Sequence, residues 1–273
     1  MADCRPPMPW FQKARRLVAV VVAAVAPAVA QADSPTLIGD YLLSTGSFTN
    51  FASGTSTLGP LSVIPSSGTT GFITGTASDA GWFWNGATLP GTGLSVSGLP
   101  ANDGGGFGRY SIGMRFQFST VSGTPAFRRM ITFADQDAGM YVTSGSFNFY
   151  ANDTNNAGGT IAPDTFAEFV LTRNGTGVTG YRNGSPIPVL SLGNDSGAGR
   201  STSGTLQFFR DNTLGNEFSP AGRISLLRIW DGPLTAEQIP TAMVPEPSAL
   251  ALGGLGVAAI LARAWRRRRS GGR

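Results

Sequence analysis

The chain has 273 residues, with 20 Lys and Arg against 16 Asp and Glu, one cysteine and no histidine. The missing histidine excludes Ser-His-Asp and Cys-His catalysis, the H-E-x-x-H zinc proteases and His-ligated zinc. Half of the 20 basic residues lie in the two tails, and the span from Asp33 to Met243 holds 10 Arg against 11 Asp and 3 Glu, a net charge of −4. That balance excludes the basic surface that nucleic-acid binding needs.

Met1 to Ala32 reads as a secretory signal. Lys13-Ala14-Arg15-Arg16 supplies the basic start, Leu17 to Ala30 the apolar stretch, and Ala28, Ala30 and Ala32 the small residues of an A-x-A cleavage site. Cleavage is expected after Ala32. Cys4 precedes the apolar stretch, so it is not placed for lipidation. The body that remains, residues 33–243, has no cysteine and must be held by its core, which a domain of this size can supply.

The body reads as all-β. With 38 Gly, 18 Pro and 17 Phe, it favours short strands, frequent turns and a Phe-rich interior. Leu37 to Leu99 shows little pattern apart from Trp82-Phe83-Trp84, a strand whose two tryptophans share one face. That face is either core or a platform for stacking on sugar rings. Tyr110 to Phe118 alternates apolar and polar residues over nine positions, the clearest strand in the chain. Further strands are expected at Arg129 to Phe133, Gly139 to Val142, Phe147 to Tyr150, Phe166 to Thr172, Val178 to Arg182, Leu206 to Arg210 and Ile224 to Trp230.

The turns between them carry the candidate chemistry. Asp135-Gln136-Asp137 and the loop Asn152-Asp153-Thr154-Asn155-Asn156 offer oxygen ligands for calcium, with Asp135, Asp137 and Asp153 as the carboxylates; the same residues are ordinary turn formers. Asn174-Gly175 and Asn183-Gly184 are hairpin signals. The G-x-G-x-x-G match at Gly175 to Gly180 lies inside that hairpin, not before a helix, so it is no dinucleotide site. Glu168, Glu217 and Glu237 stand singly, without the E-x-D-x-x-E spacing of jelly-roll glucanases. Phe107, Phe166 and Trp230 join Trp82 and Trp84 as aromatics for core or sugar. Thr235 to Ile239 suggests a helical turn capped by Thr235 and stopped by Pro240.

The body and the tail each resemble a known family. Asp164-Thr165-Phe166, Phe169-Val170-Leu171-Thr172-Arg173, Asn174-Gly175 and Tyr181-Arg182-Asn183-Gly184 follow the middle hairpin of laminin-G-like domains, and Ile224 to Asp231 with Leu234 to Ile239 follows their closing strand. The resemblance implies a two-sheet antiparallel jelly-roll sandwich of the concanavalin A-like kind. Phe166-Ala167-Glu168 replaces the histidine-containing pair often found there. After the body come Val244-Pro245-Glu246-Pro247, an apolar run from Ala249 to Ala262, and Arg266-Arg267-Arg268-Arg269 behind Trp265. This order resembles the PEP-CTERM sorting signal. It implies export through the Sec machinery, a precursor held in the membrane by the apolar run with its Arg cluster in the cytoplasm, and processing by an exosortase.

The expected domains are thus a signal at 1–32, a jelly roll at 33–243 and a sorting signal at 244–273. The expected function is a non-catalytic, exported envelope or matrix protein that binds glycan or exopolysaccharide or serves as a structural filler, with calcium as the one candidate cofactor. The alternative is a carbohydrate-active hydrolase or lyase on the same fold.

Overall fold

The computed structural model describes residues 34–53, 58–66, 68–73, 79–86, 91–133, 137–151, 154–210, 219 and 221–244. The expected signal, the apolar run and the Arg cluster lie outside these residues. The strands in chain order are β1 (Leu37–Tyr41), β2 (Ser62–Ile64), β3 (Thr69–Ile73), β4 (Gly81–Asn85), β5 (Gly93–Ser97), β6 (Arg109–Phe118), β7 (Phe127–Phe133) and β8 (Gly139–Thr143). They continue as β9 (Ser146–Ala151), β10 (Thr154–Thr160), β11 (Ala167–Asn174), β12 (Val178–Arg182), β13 (Leu190–Leu192), β14 (Thr205–Phe208) and β15 (Ala221–Trp230), before a short helix α1 (Ile239–Ala242).

Two antiparallel sheets face each other, as expected for a jelly-roll sandwich. One runs β13-β12-β11-β6-β15-β4-β3, with β1 also on β15; the other runs β10-β9-β8-β7-β14-β5-β2. The alternation of β6 decides its faces. Tyr110, Ile112, Met114, Phe116 and Phe118 all point inward and are fully buried. β15 follows the same rule with one interruption. Ser225 is an extra residue in its pairing with β6, between Ile224 opposite Phe116 and Leu226 opposite Arg115. This bulge resets the parity, so Ile224, Leu227 and Ile229 all enter the core.

Aromatic rings join the sheets. Phe147 of one stacks on Phe169 of the other at 4.4 Å. Trp84 stacks on Phe209 at 4.4 Å and on Trp82 at 5.3 Å. The Trp84 indole N–H donates to the Ser219 carbonyl at 2.7 Å, which satisfies the one polar atom of the ring. The expected strand Leu206 to Arg210 stops at Phe208, because Phe209 turns with φ +63° and drops its ring into this cluster.

One end of the sandwich is tied by Arg173, which the inward parity of β11 buries. Its Nε and Nη2 donate to the two oxygens of Asp195 at 2.6 and 2.9 Å, and Nη1 donates to Asp103 at 3.1 Å and to the Gly108 carbonyl. Asp195 also accepts the Gly197 and Gly199 N–H groups, and the buried Tyr110 hydroxyl donates to the Gly199 carbonyl at 2.8 Å. A charge this deep is tolerated because the fork and the loops around it satisfy each other. Arg173→Met leaves Asp195 buried and unpaired, so urea unfolding is expected to show a loss of about 3–5 kcal/mol.

Burial raises the pKa of Tyr110, as well as that of Tyr41, whose hydroxyl donates to the Gly59 carbonyl at 2.9 Å. The unfolded chain ionises these groups near the ordinary value of 10.0, while the folded chain holds their protons. Stability is therefore complete below pH 10 and falls above it, by about 1.4 kcal/mol per pH unit for each tyrosine. Urea titrations between pH 9 and pH 11 are expected to show that slope, reduced in a Tyr41→Phe/Tyr110→Phe variant.

Candidate functional site

The outer face of the eight-stranded sheet divides at the Ser225 bulge. Beyond the bulge, Leu226 and Trp230 join Val170 and Tyr181 in an apolar patch. Residues 231–244 roof it with Leu234, Ile239, Ala242 and Met243. Gly113 lets the roof approach, since a Cβ there would stand 2.5 Å from the Met243 sulfur and 3.3 Å from the Trp230 ring. The Thr235 N–H donates to the Gln238 side chain at 2.8 Å. Pro240 lies in the first turn of α1 and opens the helix, where a stop was expected. A first-turn proline gives up no helical hydrogen bond, and its fixed φ suits the start.

Before the bulge the face carries no roof: Gly71, Phe83, Arg115 and Arg223 are partly exposed there, while Gln117 is buried at 8% exposure. Gly71, Phe83, Arg223 and Gln117 stand opposite one another on β3, β4, β15 and β6, and so form one row across four strands. Phe166 stands one residue before β11, whose pairing with β6 begins at Ala167 opposite Phe116. Phe83 is partly exposed and lies against Gly71, where a Cβ would stand 3.1 Å from the ring. Arg223 reaches the Asp79 carbonyl only at 3.5 Å and makes no ion pair among the described residues. Arg115, in the next row, lies over the Phe166 ring at 4.2 Å and donates to the Ser225 hydroxyl at 2.9 Å. An aromatic face for C–H groups and guanidinium donors for hydroxyls or carboxylates are thus placed on a rigid sheet.

The expected sugar-stacking residues lie elsewhere. Trp82 and Trp84 are each 1% exposed and fill the core, which corrects their reading as a platform. The physical reason is the alternation of β4: large tryptophans fill the space between the sheets, so Phe83 between them faces out. Phe107 is buried against Tyr110 at 5.2 Å, and Trp230 lies under the roof. Asp137 directs its carboxylate to Arg129 at 3.3 Å, and its carbonyl accepts from Arg129 at 3.2 Å and from the Tyr141 hydroxyl at 3.0 Å. One Asp137 carboxylate oxygen is thus paired with a guanidinium. Asp135 and Asp153 lie outside the described residues, and Thr154 to Asn156, expected in a loop, belong to β10. Val244 is the last described residue, while Pro245, Glu246, Pro247 and Arg266 to Arg269 lie beyond.

Five of the described carboxylates are committed to structure. Asp40, Asp103, Asp137 and Asp195 pair with arginines, and Asp231 accepts the Thr36 N–H at 2.7 Å. Apart from Asp40, the strands of this sheet carry one carboxylate, Glu168, opposite Arg115. Glycoside hydrolysis ordinarily needs two.

Comparison with known proteins agrees with this geometry. The family described as the concanavalin A-like lectin/glucanases superfamily matches residues 95–240, and the PEP-CTERM protein-sorting motif matches residues 244–269. No curated protein matches the chain. Among solved structures, domain 4 of AbnA, a GH43 extracellular arabinanase from Geobacillus stearothermophilus in complex with arabinotriose, shares 15% identity at a TM-score of 0.56, covering 77% of this chain and 98% of that one. The binding domain of Paraclostridial Mosquitocidal Protein 1 shares 10% identity at 0.53, covering 76% and 51%. That of botulinum neurotoxin DC in complex with rat synaptotagmin II shares 11% at 0.53, with the same coverage. This chain spans about half the length of those two toxin domains, and at these identities the likeness is one of fold. The chain belongs to the concanavalin A-like lectin/glucanases superfamily and carries a PEP-CTERM protein-sorting motif.

Proposed function

We propose that this exosortase-sorted, exported protein is a non-catalytic module that holds extracellular polysaccharide along the unroofed face that carries Phe83, Arg223 and Phe166. The signal at 1–32 is removed, the sorting signal at 244–273 is read by an exosortase, and the jelly roll is delivered to the cell surface or matrix. The observation that carries the reading is the pair of partly exposed neighbours Phe83 and Arg223, side by side on one rigid face, with the partly exposed Phe166 ring further across the same sheet. A sugar chain laid across the strands stacks on Phe83 and runs past Arg223 toward the Arg115–Phe166 pair. Arg223 adds a preference for carboxylated sugars, since a guanidinium fork matches a carboxylate. The arabinotriose complex of the structurally similar domain supports a carbohydrate ligand for this architecture. The single Glu168 on the unroofed face supports binding without hydrolysis.

The test is calorimetric titration of residues 33–244 with oligosaccharides prepared from the exopolysaccharide of the source organism. Phe83→Ala and Arg223→Gln are each expected to weaken binding about 5- to 10-fold with an unchanged melting temperature. Trp84→Ala is expected to cost about 3–5 kcal/mol of stability, as the loss of a core ring does. Undiminished affinity in both surface variants, or shortening of the oligosaccharide by the native protein, contradicts the reading.

A further inference from the structure

The roof over the apolar patch ends in a clamp. Arg228 stands opposite Asp40 on the outer face and is 3% exposed. Its Nε donates to one Asp40 oxygen at 3.0 Å, and its Nη2 faces the other at 3.4 Å. Its Nη1 donates to the Ala242 carbonyl at 2.8 Å and to the Val244 carbonyl at 2.7 Å. Val244 is followed directly by Pro245-Glu246-Pro247. No spacer therefore separates the last clamped carbonyl from the sorting motif. Asp40 and Arg228 are 188 residues apart, on the first and last strands, so the clamp exists only once both ends of the body have paired.

We propose that Arg228 gates processing of the sorting motif by holding residues 242–244 against the folded body; this rests on the sorting reading above. Enzymes that engage a peptide segment commonly do so in extended form. A membrane peptidase that cuts in or beside Pro245–Pro247 needs the residues on the N-terminal side of the cut in that form. Here Ile239–Ala242 is helical, and the carbonyls of Ala242 and Val244 are occupied by the buried guanidinium. The clamp must open before the motif enters a cleft.

Pulse-chase of the full-length chain in cells with and without the exosortase tests the gate. Two variants are compared with the native precursor. Asp40→Asn/Arg228→Met removes the clamp without leaving an unpaired charge, and a six-residue insertion Gly-Ser-Gly-Ser-Gly-Val between Val244 and Pro245 sets an intact Val-Pro-Glu-Pro free of the body with the clamp intact. Both are expected to be shortened at least about threefold faster than the native chain, since several charge-assisted bonds no longer have to break. Limited proteolysis of the body establishes that each variant is folded; should the double variant misfold, the spacer variant decides. A native rate in the folded variants overturns the gate while leaving the sorting reading in place. A native chain that is never shortened in the presence of the exosortase overturns both.

Discussion

The pairing of β15 with β6, and the single extra residue Ser225 within it, governs both faces of the sheet. Inward, the bulge keeps Ile224, Leu227 and Ile229 in the core on either side of a parity change. Outward, it divides the sheet into an apolar half under a roof and a half without one. The free edge of β15 divides at the same place, with β4 pairing Ala221 to Ile224 and β1 pairing Leu227 to Trp230. The Ser225 hydroxyl, which accepts from Arg115 and donates to its carbonyl at 3.3 Å, holds the junction. The unroofed face and the clamped tail are thus two consequences of one local irregularity.

Arginine does two kinds of work in a body with no lysine. Arg129, Arg173 and Arg228 are buried: Arg129 and Arg228 each face an aspartate and two carbonyls, and Arg173 faces two aspartates and the Gly108 carbonyl. They tie loops or the tail to the sandwich. Arg223 stays on the unroofed face, beside an aromatic ring. With no disulfide in the body, these pairs and the aromatic core fix the fold.

Much of this was legible in the sequence, for physical reasons. Tyr110 to Phe118 alternates strictly because one face is core, and Asn174-Gly175 turns the hairpin as its residues require, with Asn174 accepting the Thr176 and Gly177 N–H groups. The short strands β1, β2, β3, β5 and β13 were not legible, because they are set by neighbours rather than by their own pattern. Thr154 to Thr160 read in part as a ligand loop, because Asn and Gly have low strand propensity. It forms β10 because β9 offers an edge and because Gly158 and Gly159 allow close approach to Val189. The outward place of Phe83 was missed for a narrower reason. Trp82 and Trp84 draw attention as sugar-stacking residues, yet their size suits them to the core, and the same period-two argument then turns Phe83 outward. The Arg228 clamp leaves no trace in local sequence, since its partners lie 188 residues upstream and 14 and 16 residues downstream.

The most direct measurement is a crystal structure of residues 33–244 grown with an oligosaccharide of the native exopolysaccharide. The account predicts sugar rings lying across β4, β15 and β6, stacked on Phe83 and contacting Arg223. Sugar bound instead at the loop ends around Asp137, with the Phe83 row bare, would contradict it.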